Sequence, residues 1–123
     1  MSWITAYNNS TLTLDVEIST FCNAKCPQCS RTERGNKLNK KEWLPTLQVS
    51  IDDFKIWFPI ESLNHLKNMH FSGTYGDPGM NKDLDGIVDY IISETTCNVS
   101  INTNGSMRDE TFWWTMAAKA GRR

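Results

Sequence analysis

The chain has 123 residues, 39% of them hydrophobic and five of them Trp, with a formal net charge of −1 and a pI near 6.1. That is enough apolar material for one small packed domain, and the lack of a basic surplus argues against nucleic acid or an anionic membrane as a partner. No apolar run approaches the roughly 20 residues of a membrane helix, the opening Met1-Ser2-Trp3-Ile4-Thr5 lacks a signal-peptide pattern, and four cysteines, three of them crowded together, suggest reduced thiols in a cytoplasmic setting.

Residues 1–11 read as a polar lead-in with little pattern, and residues 12–123 as the domain proper. From Leu12 to Ser19 the chain alternates: Leu12, Leu14, Val16 and Ile18 apolar, Thr13, Asp15, Glu17 and Ser19 polar. This predicts a strand with one apolar and one polar face. The run Cys22-Asn23-Ala24-Lys25-Cys26-Pro27-Gln28-Cys29 follows at once. Residues 30–48 are polar and irregular, following a helix that starts before them, and their charges, among them Arg31, Glu33, Arg34, Lys37, Lys40 and Lys41, read as solvated surface. Ser50 and Asp53 read as a helix start. Ile51, Phe54, Trp57 and Phe58 then share one face as core residues, and Pro59 ends the helix.

A second strand is expected over 66–72, leading into Gly73-Thr74-Tyr75-Gly76-Asp77-Pro78-Gly79, which is either an ordinary turn or a ligand loop. Leu84, Ile87, Val88, Ile91 and Ile92 have the spacing of an amphipathic helix. Cys97, Val99 and Ile101 alternate with Asn98, Ser100 and Asn102 as a third strand, which opens into Thr103-Asn104-Gly105. Phe112, Trp113, Met116, Ala117 and Ala120 mark a last helix, started by Asp109, with Trp113 on its core face and Trp114 off it.

Strand and helix therefore alternate, which predicts parallel strands whose following loops all open on one sheet edge. The polar faces of the first and third strands predict a wet or ligand-holding interior, as in an open partial barrel; a doubly wound sheet would want both faces apolar. Glu17 points into that interior as a hydrogen-bonded residue. Cys97 reads as core, and His65 and His70 as structural or surface residues. Lys25 and Arg31 flank the cysteine loop, either as solvated charges or as electrostatic support for an anionic site.

The Cys-x3-Cys-x2-Cys spacing of Cys22, Cys26 and Cys29 has two chemical readings. Three thiolates on one short loop can hold three corners of a [4Fe–4S] cluster and leave the remaining iron open to a ligand. Alternatively, the chain is a non-catalytic metal-binding module with zinc or an iron–sulfur cluster. Structural zinc wants four N or S ligands, usually in separated pairs. Cys97 lies far downstream, and nothing in the spacing recruits His65 or His70.

With these three loops in this order, the sequence resembles the radical S-adenosylmethionine (radical SAM) enzymes. The resemblance rests on Cys22, Cys26 and Cys29 after the first strand, on Gly76-Asp77-Pro78 after the second, where the family has a Gly-Gly-Glu-Pro-like turn, and on Thr103-Asn104-Gly105 after the third. It covers roughly residues 12–121. Two positions depart from the family pattern. Gln28 stands where an aromatic residue near the adenine is common, and Asp77 is one methylene shorter than the usual Glu.

The resemblance implies that Cys22, Cys26 and Cys29 bind a [4Fe–4S] cluster and that S-adenosylmethionine chelates its open iron. Gly76, Asp77 and Pro78 receive the amino group of that cofactor, and Thr103 and Asn104 belong to its site. The implied reaction is reductive cleavage to a 5′-deoxyadenosyl radical that takes a hydrogen atom from an unknown substrate, with electrons from a flavodoxin- or ferredoxin-type donor. The implied fold is a partial (β/α) barrel of the radical SAM type, of which this chain supplies about three β/α units out of an expected six or so. On that reading it is the N-terminal half of a core domain, and the missing C-terminal half is a partner.

Overall fold

The computed structural model describes residues 1–33 and 39–120. The charged stretch through Arg34, Gly35, Asn36 and Lys37 and the closing Gly121-Arg122-Arg123 lie outside the described residues. The alternating apolar residues form three strands, β1 (Leu12–Val16), β2 (Leu66–Phe71) and β3 (Asn98–Ile101). All pair in parallel, in the order β1-β2-β3. Spatial order follows chain order, without the reversal that marks a doubly wound sheet.

A bulge sets the faces of β2. Leu12 pairs with Leu66 but Thr13 pairs with Asn68. The extra residue, Lys67, shifts the alternation by one, so Leu66 and Met69 are both buried although they are three apart. Met69 and Phe71 then meet the helices, while Asn68 and His70 turn to the polar face. There Ser100 of β3 joins them: its Oγ lies 2.8 Å from Asn68 Nδ2 and 2.8 Å from His70 Nδ1. Asp15 pairs in register with His70 and extends this polar row into β1.

The helices are α1 (Trp3–Asn8), α2 (Ile51–Trp57), α3 (Ile60–Leu63), α4 (Leu84–Glu94) and α5 (Glu110–Ala120). Ser50 caps α2 by accepting the Asp53 N–H at 3.1 Å. Asp109 caps α5 through the Phe112 N–H at 2.8 Å. The core joins Phe54 of α2, Leu63 of α3, Leu84, Ile87, Val88 and Ile91 of α4, and Met116 of α5 to Ile18, Met69, Phe71 and Cys97. Cys97 is thus a core residue, as its place in the alternation predicts, and none of the four cysteines forms a disulfide. No helix among the described residues is long and apolar enough to cross a membrane.

Several expectations are corrected. The lead-in is not patternless: Ser2 accepts the Thr5 N–H at 3.2 Å and caps α1, and Tyr7 stacks on His65 at 4.3 Å between ring centroids. No helix lies between β1 and residues 30–48 among the described residues. Instead the chain beyond β1 runs as loop and turns through the cysteines, and Ser19 bridges Gln48 in antiparallel fashion. Pro59 ends α2 but also opens α3, because a ring-fixed φ of −66° suits a helix start. Trp57 lies at the rim of the α2 stripe and is 59% exposed, so Phe54 carries the packing there.

Candidate functional site

The parallel strands bring the three loops that follow them to one edge. Cys22, Ala24, Cys26 and Cys29 from the first loop, Ser72, Gly73, Thr74, Gly76 and Asp77 from the second and Asn102, Thr103 and Asn104 from the third line one cavity of about 490 Å³. Cys22 and Cys29 are half-buried and Cys26 is exposed. The cysteine loop is held by successive turns, with Cys29 N–H on Cys26 O at 3.1 Å and Thr32 N–H on Cys29 O at 3.0 Å.

The second loop is pressed against the first. Gly76 sits where a side-chain carbon would lie 2.1 Å from the Ser19 carbonyl oxygen, so only glycine fits. The next residue fixes the contact, with Asp77 N–H on Phe21 O at 2.7 Å. Asp77 is buried, and its carboxylate is partnered from within the protein. Oδ1 accepts the Gly79 N–H at 2.7 Å and the Thr103 hydroxyl at 2.6 Å, and Oδ2 accepts the Asn104 N–H at 2.7 Å. Pro78 starts a single 3-10 turn, Pro78–Met80, under this cap. Thr103 Oγ1 also accepts the Gly105 N–H at 3.0 Å, and Gly105 takes the left-handed φ of 73° that the turn requires.

Glu17, just past the end of β1, is hydrogen-bonded, as the alternation predicts: Oε2 accepts the Tyr75 N–H at 3.0 Å and ties this segment to the second loop. Arg31 is not a solvated charge. It is 8% exposed and donates to Tyr75 O at 3.2 Å and Thr20 O at 3.1 Å, joining the cysteine loop to the second loop. Lys25 is exposed. Two further residues that support the site carry no signal in the sequence. Asn81, fully buried, donates to Ile18 O at 2.7 Å and Val49 O at 2.9 Å. Arg108 reaches Gly79 O at 3.0 Å and Asn81 O at 2.9 Å. Nothing short of the tertiary structure pairs these residues, since each satisfies backbone carbonyls remote in the chain.

The structure is similar to the crystal structure of BtrN in complex with AdoMet and 2-DOIA, with a TM-score of 0.68 and 24% sequence identity over 88% of this chain and 42% of that one. The two share a fold. The chain spans about two-fifths of the length of the solved structure it matches. No family model matches the chain, and no curated protein matches it in sequence.

The donor set can be weighed against the groups considered for it. Among the described residues, no three His, Cys, Asp or Glu side chains are grouped so as to hold a metal ion. A single zinc ion needs such convergence. It would also need a fourth ligand, and Cys97 is in the core, His65 is stacked on Tyr7 and His70 faces Ser100. A cluster makes a different demand. Its irons occupy separate corners, each with its own thiolate, and the three cysteines all line this cavity. Hydrogen bonds to the sulfurs are characteristic of such sites, and Cys22 Sγ receives the Ala24 N–H at 3.4 Å and the Asn104 side-chain amide at 3.7 Å. The residues therefore fit a cluster.

Proposed function

We propose that this chain is the cluster-bearing part of a radical SAM enzyme, with a partial (β/α) barrel of which β1 to β3 are the first strands. One observation carries this reading. The three cysteines, Gly76 and Asp77 of the second loop, and Thr103 and Asn104 of the third, all from motifs through which the chain resembles that family, line one cavity at one sheet edge. The shared fold with BtrN, whose crystal structure holds AdoMet, supports it.

In this reading Cys22, Cys26 and Cys29 hold a [4Fe–4S] cluster. Such a group, when bound, supplies one-electron reductive cleavage of S-adenosylmethionine and, from it, abstraction of a hydrogen atom from substrate. The protein's own residues bind and orient. The amino group of the cofactor is assigned to backbone carbonyls of the second loop together with the free acceptor site on Asp77 Oδ2. The Asp77 carboxylate already holds Gly79, Thr103 and Asn104, so Asp77 also shapes its loop. Thr103 acts in the same way, since its hydroxyl is engaged on both sides. The polar row of Asp15, His70 and Ser100 lies on the face that runs toward the cavity edge at Ser72 and Asn102, and we assign it to a polar, hydrogen-bonding substrate. A flavodoxin- or ferredoxin-type donor would approach the exposed side of the cysteine loop at Lys25 and Cys26. Since the chain matches 42% of BtrN's length, turnover is proposed for a protein that carries further strands beside β3.

The assignment is tested by anaerobic reconstitution with iron and sulfide. The wild-type chain should take up about four irons per chain with matching sulfide, and Cys26→Ala should lose the cluster. Full iron and sulfide in Cys26→Ala would contradict the assignment.

A further inference from the structure

Asp77 and Asn104 form a relay that ends on a cluster cysteine. The buried Asp77 Oδ2 accepts the Asn104 backbone N–H at 2.7 Å and so fixes where the Asn104 side chain starts. That side chain is then held at its oxygen, where Oδ1 accepts the Ser106 N–H at 2.9 Å and the Ser106 hydroxyl at 2.7 Å. Its orientation follows. Nδ2 is left to face the first loop, where it donates to Asn23 Oδ1 at 3.1 Å and to Cys22 Sγ at 3.7 Å. Asn23 closes the ring by donating to Ser106 Oγ at 2.7 Å. The amide therefore cannot turn its oxygen toward Cys22 without breaking two hydrogen bonds.

The chemistry of this contact is specific. A neutral amide N–H aimed at a thiolate stabilises negative charge on the sulfur. Reduction of a thiolate-bound cluster adds one negative charge, so a donor to the sulfur favours the reduced state and raises the potential. We infer that Asn104 tunes the reduction potential of the cluster through Cys22, and that Asp77 is the positioning residue that holds it there. The inference rests on the reading of Cys22, Cys26 and Cys29 as cluster ligands. It gives Asp77 and Asn104 roles distinct from contact with S-adenosylmethionine.

The test is an EPR-monitored redox titration of the reconstituted full chain, without S-adenosylmethionine, for wild type, Asn104→Asp, Asn104→Ala and Asp77→Asn. Asn104→Asp keeps the size and the backbone N–H to Asp77 but replaces the donor with a negative acceptor. It should move the midpoint to a more negative potential by the largest amount. Asn104→Ala should move it in the same direction by less. Asp77→Asn should also lower it, through loss of the strong acceptor that anchors Asn104. Should Asn104→Ala fail to assemble a cluster, Asn104→Asp decides. An intact cluster with an unchanged midpoint in Asn104→Asp overturns the tuning role, and an unchanged midpoint in Asp77→Asn alone overturns the positioning role. Failure of the wild-type chain to assemble any cluster would overturn the parent reading instead, so the two failures are distinct.

Discussion

A methyl group on Gly76 would meet the Ser19 carbonyl oxygen at 2.1 Å and the Thr20 Cα at 2.6 Å. Both are backbone atoms of the segment that delivers the cysteine loop, so no side chain can swing aside to make room. Gly76→Ala should therefore cost at least the ~1–3 kcal/mol typical of overpacking, seen as a fall in Tm of at least about 4 °C by thermal unfolding. A wild-type Tm would mean that the two loops are not in contact. Asp77 shows the same economy at one residue: a carboxylate buried without partners would be costly, and here three donors at 2.6–2.7 Å partner it. The short side chain of Asp77 has a physical meaning, since it reaches the Gly79 N–H two residues on within its own loop.

At the scale of elements, α4 and α5 are joined at their exposed edge by Lys119, which reaches Asp85 at 2.6 Å and Asp89 at 2.9 Å. Hydrogen bonds to Asp85 and then to Asp89 raise the Lys119 pKa above its ordinary value, against a smaller opposing effect of burial. A group whose pKa is higher folded than unfolded stabilises the fold fully below its unfolded pKa, about 10.4, and loses that contribution as pH rises through the folded value. Both carboxylates are about half exposed, so the effect is limited to about 1 kcal/mol or less. Lys119→Met should lower Tm slightly at neutral pH, and the gap to wild type should close as the pH rises through the raised folded pKa of Lys119. A gap that persists unchanged into strong alkali would show that Lys119 acts by packing rather than by charge.

Across the whole molecule, what was legible in the sequence is what depends on period. The strand alternations around Leu14, Met69 and Val99, the α4 stripe from Leu84 to Ile91 and the caps Ser50 and Asp109 reappear in the structure, and with them the parallel sheet and the gathering of three loops at one edge. What was not legible depends on partners distant in the chain. Arg31 looks like a surface charge until Thr20 and Tyr75 offer it carbonyls. Asn81 looks like a loop residue until Ile18 and Val49 converge on it. The short helix α1 carries no apolar stripe that periodicity could detect and buries no residue of its own.

The central claim is that the three loops form a working half-site for a cluster with an open iron. EPR of the dithionite-reduced, anaerobically reconstituted chain, recorded with and without S-adenosylmethionine, tests it most directly. The account predicts a [4Fe–4S]⁺ signal whose g values shift when S-adenosylmethionine is added. A reduced cluster signal that stays the same at saturating S-adenosylmethionine would contradict it.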